Sequence, residues 1–260
     1  MPDKLIYLDN NATTAVAPEV FEAMLPFLKD QYFNPSSSYD AARGPRDAVE
    51  RARASVARTL GAGSRSEILF TGCATEGNNA AIWGVLRANP ERRHVVTSAV
   101  EHPAVLEVVK EAKRAGFRVT LLPVDAQGRI DRATLVKAIE PDTALVSLMH
   151  ANNETGVVFP IADLSTLVKQ VDEAVVFHTD ATQTVGKLPI DLTNLHRHVD
   201  LLTFSGHKIH GPKGVGALFV RRGTRWRPHL LGGHQERGRR AGTENVPFIA
   251  ALGRACELAR

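Results

Sequence analysis

Short apolar runs alternate with longer amphipathic segments along the whole chain, and that alternation is the sequence form of a βαβ architecture with a largely parallel sheet. The apolar runs predict strands at Leu5 to Leu8, Glu67 to Phe70, His94 to Thr97, Phe117 to Leu122, Ala144 to Met149, Val175 to His178, Leu201 to Phe204 and Gly216 to Val220. Most are too apolar for a sheet with one face in water, so helices should cover both faces. The amphipathic segments predict helices at Pro18 to Leu28, Pro45 to Leu60, Ala74 to Arg87, Pro103 to Ala115, Asp131 to Ile139, Ile161 to Val171 and Val246 onward. Pro18, Pro45 and Pro103 stand near first turns, and Gly61 and Gly116 fall just past helix ends, as helix punctuation requires. The final helix runs into Arg260 with no stop signal, which reads as a chain cut short. Neither an internal repeat nor a low-complexity linker interrupts the pattern.

Composition narrows the class. With 260 residues, 43% hydrophobic and 23% charged, the chain is an ordinary globular one, long enough for a large core. Its net charge of +4 is mild, and the excess collects late, in Arg221 to Arg240, without interleaved aromatics or a nucleic-acid reading motif. Nucleic acid is therefore not the expected partner, and that arginine-rich stretch reads as a solvated or subunit-facing surface. The two cysteines, Cys73 and Cys256, form no C-x-x-C pair and no disulfide framework, which fits a reducing cytoplasm. Neither a secretory leader nor an apolar run of membrane-spanning length is present, so no membrane role is expected.

The candidate chemistry gathers at Ser205-Gly206-His207-Lys208, where an apolar strand delivers one lysine into a turn rich in glycine and histidine. A lysine at the mouth of a buried sheet is partly desolvated; its pKa falls, and the free amine can condense with an aldehyde. Asp180 ends the preceding strand-like run, VVFHTD, and ligands of open α/β sheets sit at the carboxyl ends of strands. Asp180 then either caps the following helix or pairs with a protonated ring nitrogen, with Gln183 near the ring's phenolic oxygen. Phe70 to Glu76 breaks from strand to helix on Gly72, Ala74 and Thr75, an ordinary capping turn or an anion cradle of free N–H groups and a hydroxyl. Lysine, aspartate and cradle together describe a ligand with an aldehyde, a basic ring nitrogen and a phosphate, which fits pyridoxal 5′-phosphate. His102, at a strand-to-helix junction, is either a cap or a flat ring stacked on that ligand that moves protons near neutral pH. The turn from Asn152 to Gly156 either is only a turn or offers an amide to cofactor and substrate. No H-E-x-x-H motif or thiolate cluster supports a metal among the histidines.

Whole blocks of the chain resemble one family. LDNNATT, NPSS, CATEGNN, EHPAV, HANNETG, HTDATQTVGKLPIDL, SGHKIHGPKGVGALFVRRGTR and GGHQERGRRAGTEN, spread from Leu8 to Asn245, are similar to the cysteine desulfurases of the NifS and IscS type, nearest the nitrogen-fixation branch. The resemblance implies an α/β, aminotransferase-like fold-type I large domain: a mostly parallel seven-stranded sheet covered by helices, with the C-terminal small domain missing. It divides the chain into an N-terminal segment (1–15), the cofactor-binding large domain (16–250) and the start of a helix toward the absent domain (251–260). It further implies a cytoplasmic homodimer that takes sulfur from L-cysteine, releases L-alanine and passes the sulfur to an iron–sulfur scaffold protein, in nitrogenase maturation. By motif, Lys208 becomes the cofactor-bonded lysine, His102 the stacked residue, Asp180 the partner of the ring nitrogen, Gln183 that of the phenolic oxygen, and Asn153 a neighbour of ring and substrate carboxylate. Ala74, Thr75, Ser205 and His207 would hold the phosphate, joined by Thr243 from the other subunit. The family's nucleophilic cysteine lies in a loop well downstream, so Cys73, on the phosphate side, and Cys256, in an Ala/Leu-rich helix, are not expected to replace it. The same platform also serves selenocysteine lyases and other class V enzymes, and a truncated chain could be an inactive cofactor or dimerisation module.

Overall fold

A computed structural model describes residues 6–260. Seven strands form one sheet: β1 (Ile68–Thr71), β2 (His94–Ser98), β3 (Arg118–Leu122), β4 (Thr143–Ser147), β5 (Val176–Asp180), β6 (Leu201–Ser205) and β7 (Gly216–Val220). Their order is β1-β7-β6-β5-β4-β2-β3. The pairings from β3 to β6 are parallel, whereas β7 lies antiparallel between β6 and β1. Because only β7 is reversed, β1, β2, β4, β5 and β6 all end on the same edge of the sheet. The loops that follow these strands leave from that edge.

Helices cover both faces. On one side, α3 (Ala74–Ala88) and α4 (Pro103–Arg114) pack on Leu69, Val95, Leu145, Val176, Leu201 and Leu218. On the other, α1 (Pro18–Lys29), α2 (Arg43–Leu60), α6 (Ile161–Val171) and α7 (Val246–Leu258) share a core with Phe70, Val146, Phe177, Phe204 and Phe219. A short α5 (Arg132–Ala138) adds Leu135 to that core. Side chains alternate between the two cores because a strand turns each successive residue to the opposite face.

Two segments depart from the sequence reading. The strand expected at Leu5 to Leu8 does not form: Leu5 lies outside the described residues, and Ile6, Tyr7 and Leu8 run as exposed coil. Pairing with no sheet edge, the segment instead ties itself to the lysine turn, through Thr14 N–H to the His207 carbonyl at 2.9 Å. The arginine-rich stretch departs only in part: Arg222, Arg225, Arg227 and Arg237 are exposed, whereas Arg221, Arg239 and Arg240 are half-buried. Arg240 grips Glu76 at 2.7 Å, Arg239 stacks on Trp226, and Arg221 donates to the Val199 and Leu192 carbonyls, so these three guanidiniums serve the fold.

A buried ion pair fixes the loop before α7. Arg53, on α2, forms two 2.7 Å bonds with Glu236, which also accepts from the Phe70 amide at 3.2 Å. Both side chains are at most 5% exposed. Glu236 and Arg237 sit at φ 48° and 61°, a left-handed conformation costly for non-glycine residues, held here by the bidentate pair.

Candidate active site

The strand ends and the loops that follow them enclose a cleft of about 350 Å³. Nine of the ten residues expected from the sequence line it: Ala74, Thr75, His102, Asn153, Asp180, Gln183, Ser205, His207 and Lys208. Thr243 does not line it; it is exposed, in the loop between the Glu236 clamp and α7. Asn11, Ala12, Cys73, Met149, Ala151 and Thr182 also line the wall.

At one end is a cradle of donors. Thr71, Gly216 and Ser205 lie in one row across β1, β7 and β6, which brings the start of α3 beside the end of β6. Gly216 permits this approach, since a Cβ there would lie 2.9 Å from the Cys73 carbonyl carbon. No side chain caps α3 at Cys73, and the Ala74 amide donates to Ser205 Oγ at 3.1 Å. Thr75 adds a hydroxyl in the first turn. Uncapped amides at the positive end of a helix form a site for a dianionic group. Glu76 is turned away from this opening, accepting from the Gly72 amide at 2.7 Å and from Arg240.

Lys208 follows β6 by three residues. Its ammonium donates to the carbonyls of Asn11 and Ala12, the latter at 2.7 Å. Burial, with the neighbouring Lys187 ammonium, pulls the amine below the ordinary lysine range. His207 is likewise pulled down by burial and by the charge of Lys208, and its Nδ1 lies 3.1 Å from the Thr13 hydroxyl. Gln183 donates its amide to the Asn11 carbonyl at 3.0 Å. The N-terminal segment thus straps over the lysine turn, a part of the site that motif reading alone did not assign.

Asp180 closes the end of β5, with one carboxylate oxygen accepting from the Thr182 amide at 2.9 Å and the other from Asn78 at 2.7 Å. No helix follows Asp180, so the capping reading does not hold: the Thr182 contact closes an Asx turn, the chain runs on through turns to β6, and the side chain still lines the cleft. His102 starts α4, with its Nδ1 accepting from the Ala104 amide at 3.0 Å. That bond leaves the ring proton on Nε2 while the ring is neutral. Just behind it, Glu101 is fully buried, accepting from Ser98 Oγ at 2.6 Å and the Met149 amide at 2.9 Å. Its second oxygen has no partner, and burial pushes its pKa up to about 8. Asn152 builds the facing turn, accepting from the Glu154 and Thr155 amides and donating to the Val100 carbonyl, so that Asn153 reaches the cleft.

An amine, a carboxylate and an anion cradle therefore surround one small opening, and they fit pyridoxal 5′-phosphate as a donor set. The chain matches the family described as Aminotransferase class-V over residues 6–260. It belongs to that family. Its members work with pyridoxal 5′-phosphate. The chain is 56% identical to cysteine desulfurase 2 of Trichormus variabilis over 256 residues, covering 98% of this chain and 63% of that protein. It is 52% identical to the cysteine desulfurase NifS of Azotobacter vinelandii, covering 98% and 62%. A solved NifS-like protein superposes with a TM-score of 0.95 at 44% identity, over 98% of this chain and 70% of the other. The structure titled SspA in complex with cysteine follows at a TM-score of 0.91 and 41% identity, over 97% and 72%. The chain thus spans less than two thirds of the length of these curated relatives, and the α/β, aminotransferase-like large domain expected from the sequence is the fold present.

Proposed function

We propose that this chain is the cofactor-binding part of a cysteine desulfurase, which takes the sulfur of L-cysteine and leaves L-alanine. The observation that carries the reading is the convergence of Lys208, Asp180 and the start of α3 on one cleft. Ala74, Thr75, Ser205 and His207 would hold the phosphate, Gln183 the phenolic oxygen, Asp180 the ring nitrogen, and His102 one ring face. Bound there, the cofactor supplies an electron sink for carbanion chemistry at the substrate's α-carbon.

The chain's own groups prepare that chemistry. Lys208, with its lowered pKa, is an amine able to bond the cofactor and to take a proton from the α-carbon. His102 would offer its Nε2 proton to the cleft, and Asn153, whose amide donates to Glu154 at 2.7 Å, would turn to orient a carboxylate. Neither cysteine suits the role of sulfur acceptor. Cys256 is fully buried, its thiol pushed up to about 12, and Cys73 stands at the cradle end, away from a substrate beside Lys208. The acceptor thiol is therefore a different one, and an iron–sulfur scaffold, in nitrogenase maturation or elsewhere, would receive the sulfur in a reducing cytoplasm. A homodimer would bring Thr243 of a second copy to the phosphate. The division at 15 and 250 belongs to this reading, with α7 crossing the second boundary.

The test is a titration with pyridoxal phosphate followed by borohydride reduction and peptide mapping, and a separate assay of alanine released from L-cysteine. The pyridoxyl group is expected on Lys208. A label on Lys187 or Lys213 contradicts the assignment, and failure of longer desulfurase forms containing this chain to release alanine contradicts the activity.

A further inference from the structure

The strands that end at the cleft change character along their length. In β5, Val176 is followed on the same face by His178 and Asp180; in β6, Leu201 is followed by Thr203 and Ser205; in β4, Leu145 is followed by Ser147. All of these turn toward α3, which answers with Asn78, a fully buried asparagine in a helix interior. Asparagine is a poor helix former and costly to bury, so its partners decide why it is tolerated.

Those partners form one continuous line. Ser147 Oγ lies 2.8 Å from His178 Nδ1, and His178 Nε2 lies 3.3 Å from Thr203 Oγ1. The Thr203 hydroxyl bonds the Asn78 side-chain oxygen, and Asn78 Nδ2 reaches Asp180 at 2.7 Å. Ser147, His178, Thr203 and Asn78 are each fully buried. Gly77 makes the approach possible: a Cβ there would lie 2.9 Å from Thr203 Cγ2, so any larger residue would push α3 off β6.

One end condition sets every proton. A carboxylate only accepts, so Asn78 must turn its NH₂ to Asp180 and its carbonyl to Thr203. Thr203 must then donate to Asn78 and accept from His178. His178 must carry its proton on Nε2, which leaves Nδ1 to accept from Ser147. We propose that Ser147, His178, Thr203 and Asn78 form a one-way hydrogen-bond chain whose aligned donors keep Asp180 an oriented carboxylate, making these four the positioning residues for the atom that meets the cofactor's ring nitrogen. The last clause rests on the desulfurase reading above; the direction of the chain does not. Burial agrees with a neutral ring, pushing His178 down to about 4. A chain of dipoles pointing at an anion strengthens each bond in it.

Two measurements test this. In cofactor-free protein, nitrogen-15 spectra of the His178 ring should show a neutral imidazole protonated on Nε2, unchanged across neutral pH; a proton on Nδ1 or a cationic ring overturns the chain's direction. Thr203→Val, which removes the link without changing shape, should weaken pyridoxal phosphate binding about tenfold, the worth of one neutral hydrogen bond in the line that ends at Asp180. Inorganic phosphate binding should not change, and Thr203→Ser should restore the wild-type value. In an Asp180→Asn background, Thr203→Val should have no further effect on the cofactor. Equal weakening of phosphate and cofactor, or an undiminished effect beside Asp180→Asn, would mean that Thr203 only supports the fold. Wild-type protein that binds no pyridoxal phosphate overturns the functional reading and the role toward the ring, while the ring spectra decide the chain's direction separately.

Discussion

Glu101 makes the sharpest prediction about protonation. Its carboxyl is fully buried behind His102, with Oε1 accepting two donors, Oε2 unpartnered and the Asp180 carboxylate as a charged neighbour. Burial raises its pKa from 4.5 to about 8. The folded chain therefore keeps a proton that the unfolded chain releases above about pH 4.5, so this group's stabilisation is complete below that pH and lost as pH rises through 8. His150 and His178, both held down to about 4 by burial, give the opposite slope, but only below their reference value of 6.5. Between pH 6.5 and 8 the glutamate stands alone among these three. Over that interval Glu101→Gln, which keeps the shape and cannot ionise, should gain about 2 kcal/mol on wild type, at about 1.4 kcal/mol per pH unit. For a chain of this size that narrows or reverses the Tm difference by about 4 °C. Thermal unfolding of both proteins across the interval, followed by circular dichroism, measures it. Parallel Tm curves would mean that Glu101 is already ionised in the folded chain.

Three further outcomes follow from the packing. Glu236→Gln leaves the buried Arg53 with Glu50, at 2.9 Å, as its remaining carboxylate partner and should cost about 1.5–3 kcal/mol, whereas the double change Arg53→Met/Glu236→Leu should recover most of it, both read from Tm. Gly77→Ala places a methyl against Thr203 and should cost about 1–3 kcal/mol in the same assay; no loss would mean that α3 shifts freely. Cys256, with its thiol at about 12, should resist an aromatic disulfide reagent in the native protein and react at once after denaturation.

The sheet was readable because its strands are apolar on both faces and its helices carry Pro and Gly at their ends; seven of the eight expected strands formed. Leu5 to Leu8 misled because a short apolar run looks the same whether or not a sheet edge lies within reach. At the site, Lys208, Asp180 and the Gly72–Thr75 turn could be read because each sits at a strand end, where local sequence determines position. Asn11 and Ala12 could not, since they meet Lys208 across nearly two hundred residues and through backbone carbonyls, which no side-chain pattern encodes. Asn78 and Thr203 left a faint signal, a polar residue in a buried helix facing strands that turn polar near their ends. Thr243 was assigned by likeness alone, and this chain's own cleft is lined without it.

The Arg53–Glu236 clamp has a kinetic consequence for assembly. A segment already frozen into left-handed turns by a buried ion pair has little freedom left to lose when another surface meets it. A second copy approaching this loop, as the proposed homodimer requires, would meet the Glu236–Arg237 turn as a finished shape, so recognition of that turn should proceed by rigid fit, with association rates set by collision and orientation and not by slow ordering of the turn.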